Sequence, residues 1–221
     1  MMRSLLRSFS NLILQPNCLL CDRAAREPIC PACQRRLQHY QRPDPAAFWQ
    51  GDLPLWVWGH YAGALKQAIA RLKYDNKPEL ARSLGFWLGA SWQSSPPLSS
   101  RPVLVPIPMH ATKQQQRGFN QAELIARSFG HYTRLRLATG LVRVRATEAM
   151  FGLSPAARDR NITDAFQLAA DFQRRPPRQP VLLVDDIYTT GATAREAARV
   201  LAAAQIPVAG IAAIATTRER P

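Results

Sequence analysis

Val181-Leu-Leu-Val-Asp-Asp-Ile-Tyr-Thr-Thr-Gly-Ala-Thr193 is the stretch whose reading decides the fold of this chain. Four apolar residues run into two adjacent carboxylates, and a hydroxyl-rich turn with one glycine follows. An apolar run without polar alternation predicts a strand buried on both faces, as in parallel sheets. Ligand sites in such sheets lie just beyond the carboxyl ends of the strands. Thr193-Ala-Arg-Glu196 has the spacing of a capping box, which predicts a helix starting at or next to Thr193. The turn Thr189, Thr190, Gly191, Ala192 and Thr193 would then present backbone N–H groups and threonine hydroxyls at a helix N-terminus, a cradle for phosphate. Asp185 and Asp186 beside it can accept hydrogen bonds from two vicinal hydroxyls, such as those of a ribose.

Phosphate plus ribose, with no P-loop lysine, points to phosphoribosyl pyrophosphate (PRPP). Neither G-x-x-x-x-G-K-S/T nor G-x-G-x-x-G occurs in the chain, so ATP and dinucleotides lack their usual motifs. The stretch resembles the PRPP loop of type I phosphoribosyltransferases. The plain alternative is a buried strand ending in two acids, followed by a well-capped helix and no ligand. Strand–Asp-Asp also opens some metal sites.

The 221 residues leave room for one full α/β domain and a small appendage. The hydrophobic fraction of 47% is that of an ordinary globular protein. No run approaches the ~18 apolar residues of a membrane span. The first residues, with Arg3, Arg7, Leu5, Leu6, Phe9, Leu12 and Ile13, suit a short amphipathic helix rather than a signal peptide, and a cytoplasmic location is expected. The net charge is +14, and residues 101–160 hold ten Lys/Arg against three acids. Such a balance favours polyanions, either nucleic acid or a pyrophosphate-bearing substrate, although a solvated basic surface has the same composition.

Three segments follow from patterning: a cysteine-bearing unit over 1–40, a Pro-containing linker over 41–54 and an α/β domain over 55–221. Strands are expected at 55–61, 103–108 and 208–215, with helices at 64–72, from 78 or 79 to 92, at 120–129 and at 194–204. Ser154-Pro155 marks a further helix start. Residues 173–180 form a basic, proline-rich loop before the deciding strand.

Cys18-Leu-Leu-Cys21 and Cys30-Pro-Ala-Cys33 are two C-x2-C knuckles, and they contain every cysteine of the chain. Four thiolates so paired suit one tetrahedral zinc ion. Disulfides fit less well without an export signal, and a redox C-x2-C normally follows a strand in a thioredoxin-like unit. Four sulfur ligands leave no open position, so the metal would be structural and would supply folding energy to a unit too small to stand on apolar burial.

Val105-Pro-Ile-Pro-Met-His110 and Arg117-Gly-Phe-Asn-Gln121 place a second loop at a strand's carboxyl end. Pyrophosphate would sit there, with Arg117 or Lys113 neutralising it. A proline-stiffened turn with a solvated arginine is the plain alternative. His110 is a weak general-base candidate, more in keeping with an exposed turn. Residues 141–166 form an arginine-bearing excursion with the composition of a lid over PRPP, the plain alternative being an ordinary surface hairpin and helix. Lys73, at a helix end, can reach a phosphate or simply favour the helix dipole. The five tryptophans could stack on bases, although their apolar surroundings point to the core.

Together these elements resemble the ComF/GntX family, from Cys18 to about Arg218. The carriers are the two knuckles, Leu72-Lys73-Tyr74, Val105–His110, Arg117–Gln121, Thr147 to Leu153 with Arg158 and Asn161, Ala165-Phe166 and the PRPP loop. Met150 departs from the family's usual glutamine. The resemblance implies a type I phosphoribosyltransferase-like α/β domain, mainly a parallel sheet flanked by helices, behind a small N-terminal zinc-binding segment. It also implies a part in DNA uptake or utilisation.

On this reading Mg-PRPP is the ligand. Asp185 and Asp186 hold the ribose and, through it, the Mg2+ geometry. The 189–193 turn holds the 5′-phosphate, and Arg117 with Lys73 faces pyrophosphate. A nitrogen nucleophile of unknown identity would displace pyrophosphate. The alternative is a non-catalytic single-stranded DNA-binding competence protein with PRPP as effector or vestigial ligand. The DNA-uptake machinery is a further expected partner.

Overall fold

The computed structural model describes residues 16–94, 97–98, 100–146 and 162–219. The amphipathic N-terminal helix, the Ser154-Pro155 helix start, Met150 and most of the arginine-bearing excursion lie outside them. The first described helix is α1 (Pro31–Gln38), inside the cysteine segment. Then come β1 (Leu55–His60), α2 (Gly63–Tyr74), α3 (Leu80–Ser94), β2 (Val103–Pro106), α4 (Ala111–Arg117) and α5 (Gln121–Thr133). The chain continues with β3 (Leu141–Arg143), β4 (Phe166–Leu168), α6 (Ala170–Arg174), β5 (Val181–Tyr188), α7 (Ala192–Ala203) and β6 (Val208–Thr216).

The expected α/β class is what the chain adopts. Four strands form a parallel sheet in the order β1-β6-β5-β2. β3 and β4 pair antiparallel as a separate two-stranded sheet. The first four residues of β5 are all buried, as an unbroken apolar run in a central parallel strand must be. Alternate residues of that run face opposite layers. Leu182 and Val184 pack with α2, α3 and α5, whereas Val181 and Leu183 pack with α7 and the β3–β4 foot. This two-sided alternation sends Asp185 and Asp186 to different faces at the carboxyl end of β5.

α3 and α5 pack closely because glycine faces the contact: a Cβ on Gly85 would lie 2.4 Å from the carbonyl oxygen of Ile125. Cys18, Leu20, Ile29, Cys33 and Leu37 belong to the same apolar cluster as Leu65, Leu72 and Leu84. The cysteine segment therefore shares its core with the α2–α3 layer. Residues 41–54 lie against β1, where Gln41 pairs with Gly59 and Phe48 with Leu55. Trp49, Trp56 and Trp92 meet edge to face with centroids 5.2–6.4 Å apart, and Trp58 stacks on Trp87 at 5.5 Å. Trp56, Trp58 and Trp92 are buried and Trp49 and Trp87 half-buried, in keeping with the core.

Two local expectations are corrected. The capping box at Thr193 does not form. α7 begins at Ala192, its N-cap is Gly191 with φ 84°, and no side chain caps it. Glu196 accepts instead from the Asp164 backbone N–H at 2.8 Å and pairs with Arg199 at 2.8 Å. The second difference is α4, a helix where the sequence suggested a loop. Its N-cap is His110, whose Nδ1 accepts from the Thr112 N–H at 3.4 Å. Among the described residues no helix is long and apolar enough to cross a membrane.

Candidate functional site

β5 ends in Asp185 and Asp186, and the chain must then turn to enter α7. Gly191 makes the turn possible. Its φ of +84° is a left-handed conformation, and a Cβ there would lie 2.2 Å from the Tyr188 hydroxyl oxygen. Residues Thr189 to Thr193 with Asp185 line a shallow depression of about 20 Å3 at the head of α7. Thr190 Oγ1 accepts weakly from the Ala192 N–H at 3.5 Å, and Arg195 Nη1 donates to the Thr190 carbonyl at 2.8 Å. These bonds hold the loop's shape, while the uncapped start of α7 faces the depression with its partial positive charge.

Asp186 is 3% exposed and makes an ion pair with Lys73 Nζ. Lys73 is the penultimate residue of α2, so the helix end delivers its ammonium under β5. Burial pushes the Asp186 carboxyl up, but the Lys73 charge and the hydrogen bonds from Asp185, Lys73 and Gln121 together hold it below the ordinary carboxylate range. Gln121, the first residue of α5, also hydrogen-bonds Asp186. Asp185 is pushed well above the ordinary range by burial and by the Asp186 charge beside it. Its Oδ1 accepts from the Asp186 backbone N–H at 2.8 Å. The two carboxylates thus differ in character: Asp186 is held low against a lysine, and Asp185 is held high by burial and by its neighbour.

The cations form an arc around this pair. Arg117 Nη1 donates to Gln121 Oε1 at 2.6 Å, and its guanidinium lies 5.7 Å from the Tyr74 ring centroid. Burial, then the nearby Arg143 and Arg117 charges, lowers Lys113 below its usual value. Arg143, at the end of β3, is likewise lowered by burial and feels the Asp185 charge. The loop carrying Arg117 is fixed by Asn120, which is 6% exposed. Its Nδ2 donates to the Ile107 carbonyl at 3.0 Å, and its Oδ1 caps α5 by accepting from Ala122 N–H at 3.1 Å.

Of the residues singled out in the sequence, Lys73, Asp185, Asp186 and the 189–193 turn meet at the carboxyl end of β5, and Arg117 joins them through Gln121. Gln121 and Tyr74 were visible only as parts of motifs. Tyr74 is 76% exposed, an aromatic ring at the rim of the site beneath Arg117. His110 is engaged as a helix cap.

The four cysteines form a second constellation. Their Sγ atoms all lie within 4.8 Å of one another, and Cys21 Sγ is 3.8 Å from Cys30 Sγ. Tetrahedral Zn–S bonds of about 2.3 Å put sulfurs roughly 3.8 Å apart, so the cluster fits a structural zinc site. Burial raises the Cys18 thiol, but the backbone N–H groups of Cys30, Leu20 and Cys21 bring it down to about 6. Burial and hydrogen bonds from the other three thiols push Cys33 up to about 12. One sulfur is therefore already disposed to be a thiolate. Arg71 joins the segment to α2: it donates to Asp22 at 2.9 and 3.1 Å and to the Leu19 carbonyl at 3.0 Å. Lys73 follows two residues later on the same helix end.

No family model matches the chain. Competence protein F of Haemophilus influenzae is 31% identical over 182 residues, covering 79% of this chain and 78% of that protein. DNA utilization protein YhgH of Escherichia coli (strain K12) is 30% identical over 200 residues, 83% of each chain. Competence protein ComFC of Bacillus subtilis is 30% identical over 145 residues, 64% of this chain and 55% of that one. Among solved structures, the allosteric regulatory enzyme of purine biosynthesis is similar over 62% of this chain and 25% of that chain, with TM-score 0.36 and 18% identity, too slight a likeness to carry weight.

Proposed function

The chain belongs to the competence protein F and DNA utilization protein family, and from that premise we propose that it binds Mg-PRPP at the end of β5 and transfers the phosphoribosyl group to a nitrogen acceptor during DNA uptake or utilisation. The observation that carries this reading is the junction of two unlike carboxylates with an uncapped helix start, ringed by Lys73, Lys113, Arg117 and Arg143. The 189–193 turn and the α7 N-terminus suit a 5′-phosphate monoester. Asp185 and Asp186 suit the ribose hydroxyls, and the arc of cations suits the departing pyrophosphate.

Mg2+, when bound with PRPP, would supply positive charge to the pyrophosphate. The chain's own part is positioning and charge stabilisation: Arg117 and Lys73 lie where negative charge builds as the anomeric C–O bond breaks, and no covalent intermediate on the protein is required. Exposed Tyr74 offers an apolar face at the rim for a planar acceptor. Cys18, Cys21, Cys30 and Cys33 would hold zinc, which on this reading is structural. The division into a 1–40 zinc-binding cysteine unit, a 41–54 linker and a 55–221 phosphoribosyltransferase-like domain, acting in the cytoplasm, belongs to the same proposal.

Isothermal titration of Mg-PRPP into wild type and an Asp185→Asn/Asp186→Asn variant tests the reading. Saturable heat in wild type that vanishes in the folded double variant supports it, and a screen of nucleobases for pyrophosphate release then seeks the acceptor. Absence of heat with a folded, zinc-loaded wild type would sink it.

A further inference from the structure

A second basic surface lies at the opposite end of the sheet, where β2 and β5 begin. The Val103 N–H donates to the Pro180 carbonyl at 2.9 Å, fixing the loop before β5 to the start of β2. Residues 136–138 run along the free edge of β2: the Leu104 N–H donates to the Arg136 carbonyl at 2.8 Å, and the Ala138 N–H to the Leu104 carbonyl at 2.9 Å. This edge and the 171–179 segment wall an open groove of about 1040 Å3. Arg136 stands on one wall, with Arg174, Arg175 and Arg178 on the other, and all four are exposed. Asp171 is the acid of the lining, and it pairs with Arg174 at 2.8 Å. The loop is anchored by buried Phe172 and by the Ala169 N–H, which donates to the Gly140 carbonyl at 3.0 Å, while Pro176 and Pro177 restrict its backbone.

We propose that this groove binds the sugar–phosphate backbone of a single nucleic-acid strand, at a site separate from the carboxylate pair. Guanidinium forks match phosphate oxygens two at a time, and four of them across a groove of this size suit several successive phosphates rather than one small anion. The lining aromatic, Phe172, is 4% exposed and cannot stack on a base, so the grip is on the backbone and indifferent to sequence. The one helix in the walls is α6, five residues long, which is no element for filling a major groove. With no major-groove element in these walls, a single strand is the occupant assigned to them. Four residues of β5, roughly 13 Å at ~3.3 Å each, separate Val181 from Asp185. Strand and PRPP can therefore be held together, and the groove does not depend on the PRPP reading.

The test is fluorescence anisotropy with labelled oligo-dT of about twenty nucleotides, over ~50–200 mM salt. The proteins are wild type, an Arg136→Ala/Arg174→Ala/Arg175→Ala/Arg178→Ala variant, the same four positions changed to Lys, and Asp185→Asn/Asp186→Asn. The groove assignment expects the alanine variant to bind at least about tenfold more weakly and to lose up to about 3 from its salt slope, at ~0.7 per phosphate contact. The lysine variant retains most of the affinity and the carboxylate variant all of it, and PRPP titration of the alanine variant matches wild type. Wild-type affinity in an alanine variant with unchanged thermal melt would overturn the proposal. So would absence of oligo-dT binding by wild type, equal binding of a duplex of the same length, or equal displacement by inorganic polyphosphate of matched charge. A wild type that binds oligo-dT but not PRPP would remove the pocket reading and leave this one standing.

Discussion

At the scale of single residues, Asp185 and Asp186 are neighbours in sequence and opposites in electrostatics. Asp186, held low against Lys73, contributes stability that is full above the unfolded carboxylate value of about 3.9 and is lost as pH falls through its lower folded value. Asp185, held high by burial and by its neighbour, behaves the other way. Its contribution is full below the ordinary value and is lost as pH rises through the raised one, so burying this carboxyl at neutral pH works against folding. Asp185→Asn is therefore expected to raise Tm at neutral pH while removing PRPP binding. Asp186→Ala leaves a buried ammonium without its partner and is expected to cost about 3–5 kcal/mol. Thermal melts across pH check both, and equal Tm changes of one sign would contradict the assignment. The carboxylates themselves were legible, because two acids at the end of an apolar run are conspicuous. Their difference was not, because it is set by Lys73 and Gln121, which arrive from distant helix ends and leave no local signal.

At the scale of elements, α1, α6 and, save as a plain surface hairpin, the β3–β4 pair had no expectation, whereas the four strands of the parallel sheet and α2, α3, α5 and α7 were legible from apolar runs and 3.6-residue spacing. α4 was not, since Ala-Thr-Lys-Gln-Gln-Gln-Arg buries no residue and has no apolar face to betray it. The misread cap on α7 has a physical cause. Glu196 is 8% exposed and meets the Asp164 N–H and Arg199, partners that tertiary structure supplies in place of the local Thr193 backbone. Arg199 also reaches Asp164 at 2.9 Å, so the foot of β4 is fastened to α7 through one glutamate and one arginine. Thr193→Ala is accordingly expected to leave stability within about 0.5 kcal/mol, where a working cap would cost ~1. Glu196→Ala should cost about 1–3 kcal/mol by leaving a part-buried N–H unsatisfied. Denaturant midpoints of the two variants decide between the pairings. Gly191→Ala meets both the positive φ and the Tyr188 hydroxyl, so a loss of about 1–3 kcal/mol is expected together with weaker PRPP binding in titration.

At the scale of the whole molecule, the cysteine segment and the sheet share one apolar cluster, a partnership that spacing of C-x2-C knuckles cannot announce. Removing metal should therefore lower a single calorimetric transition of the whole chain. A separate early transition, with the main one unmoved, would show the segment to be energetically independent. The charge excess was legible from composition, but its division into an arc around β5's carboxyl end and a groove at the amino end required the topology. That topology also sets a timetable. Among the described residues β1 has β6 as its one strand partner in the sheet, although β1 opens the α/β region and β6 comes last of the described strands. About 150 residues separate them, and at roughly 5–20 residues per second a ribosome needs on the order of 10–30 s to deliver β6 after β1 has emerged. Throughout that interval the Leu55-Trp-Val-Trp58 edge is apolar and unpaired, so the nascent chain depends on its surroundings to keep that edge from pairing with another molecule.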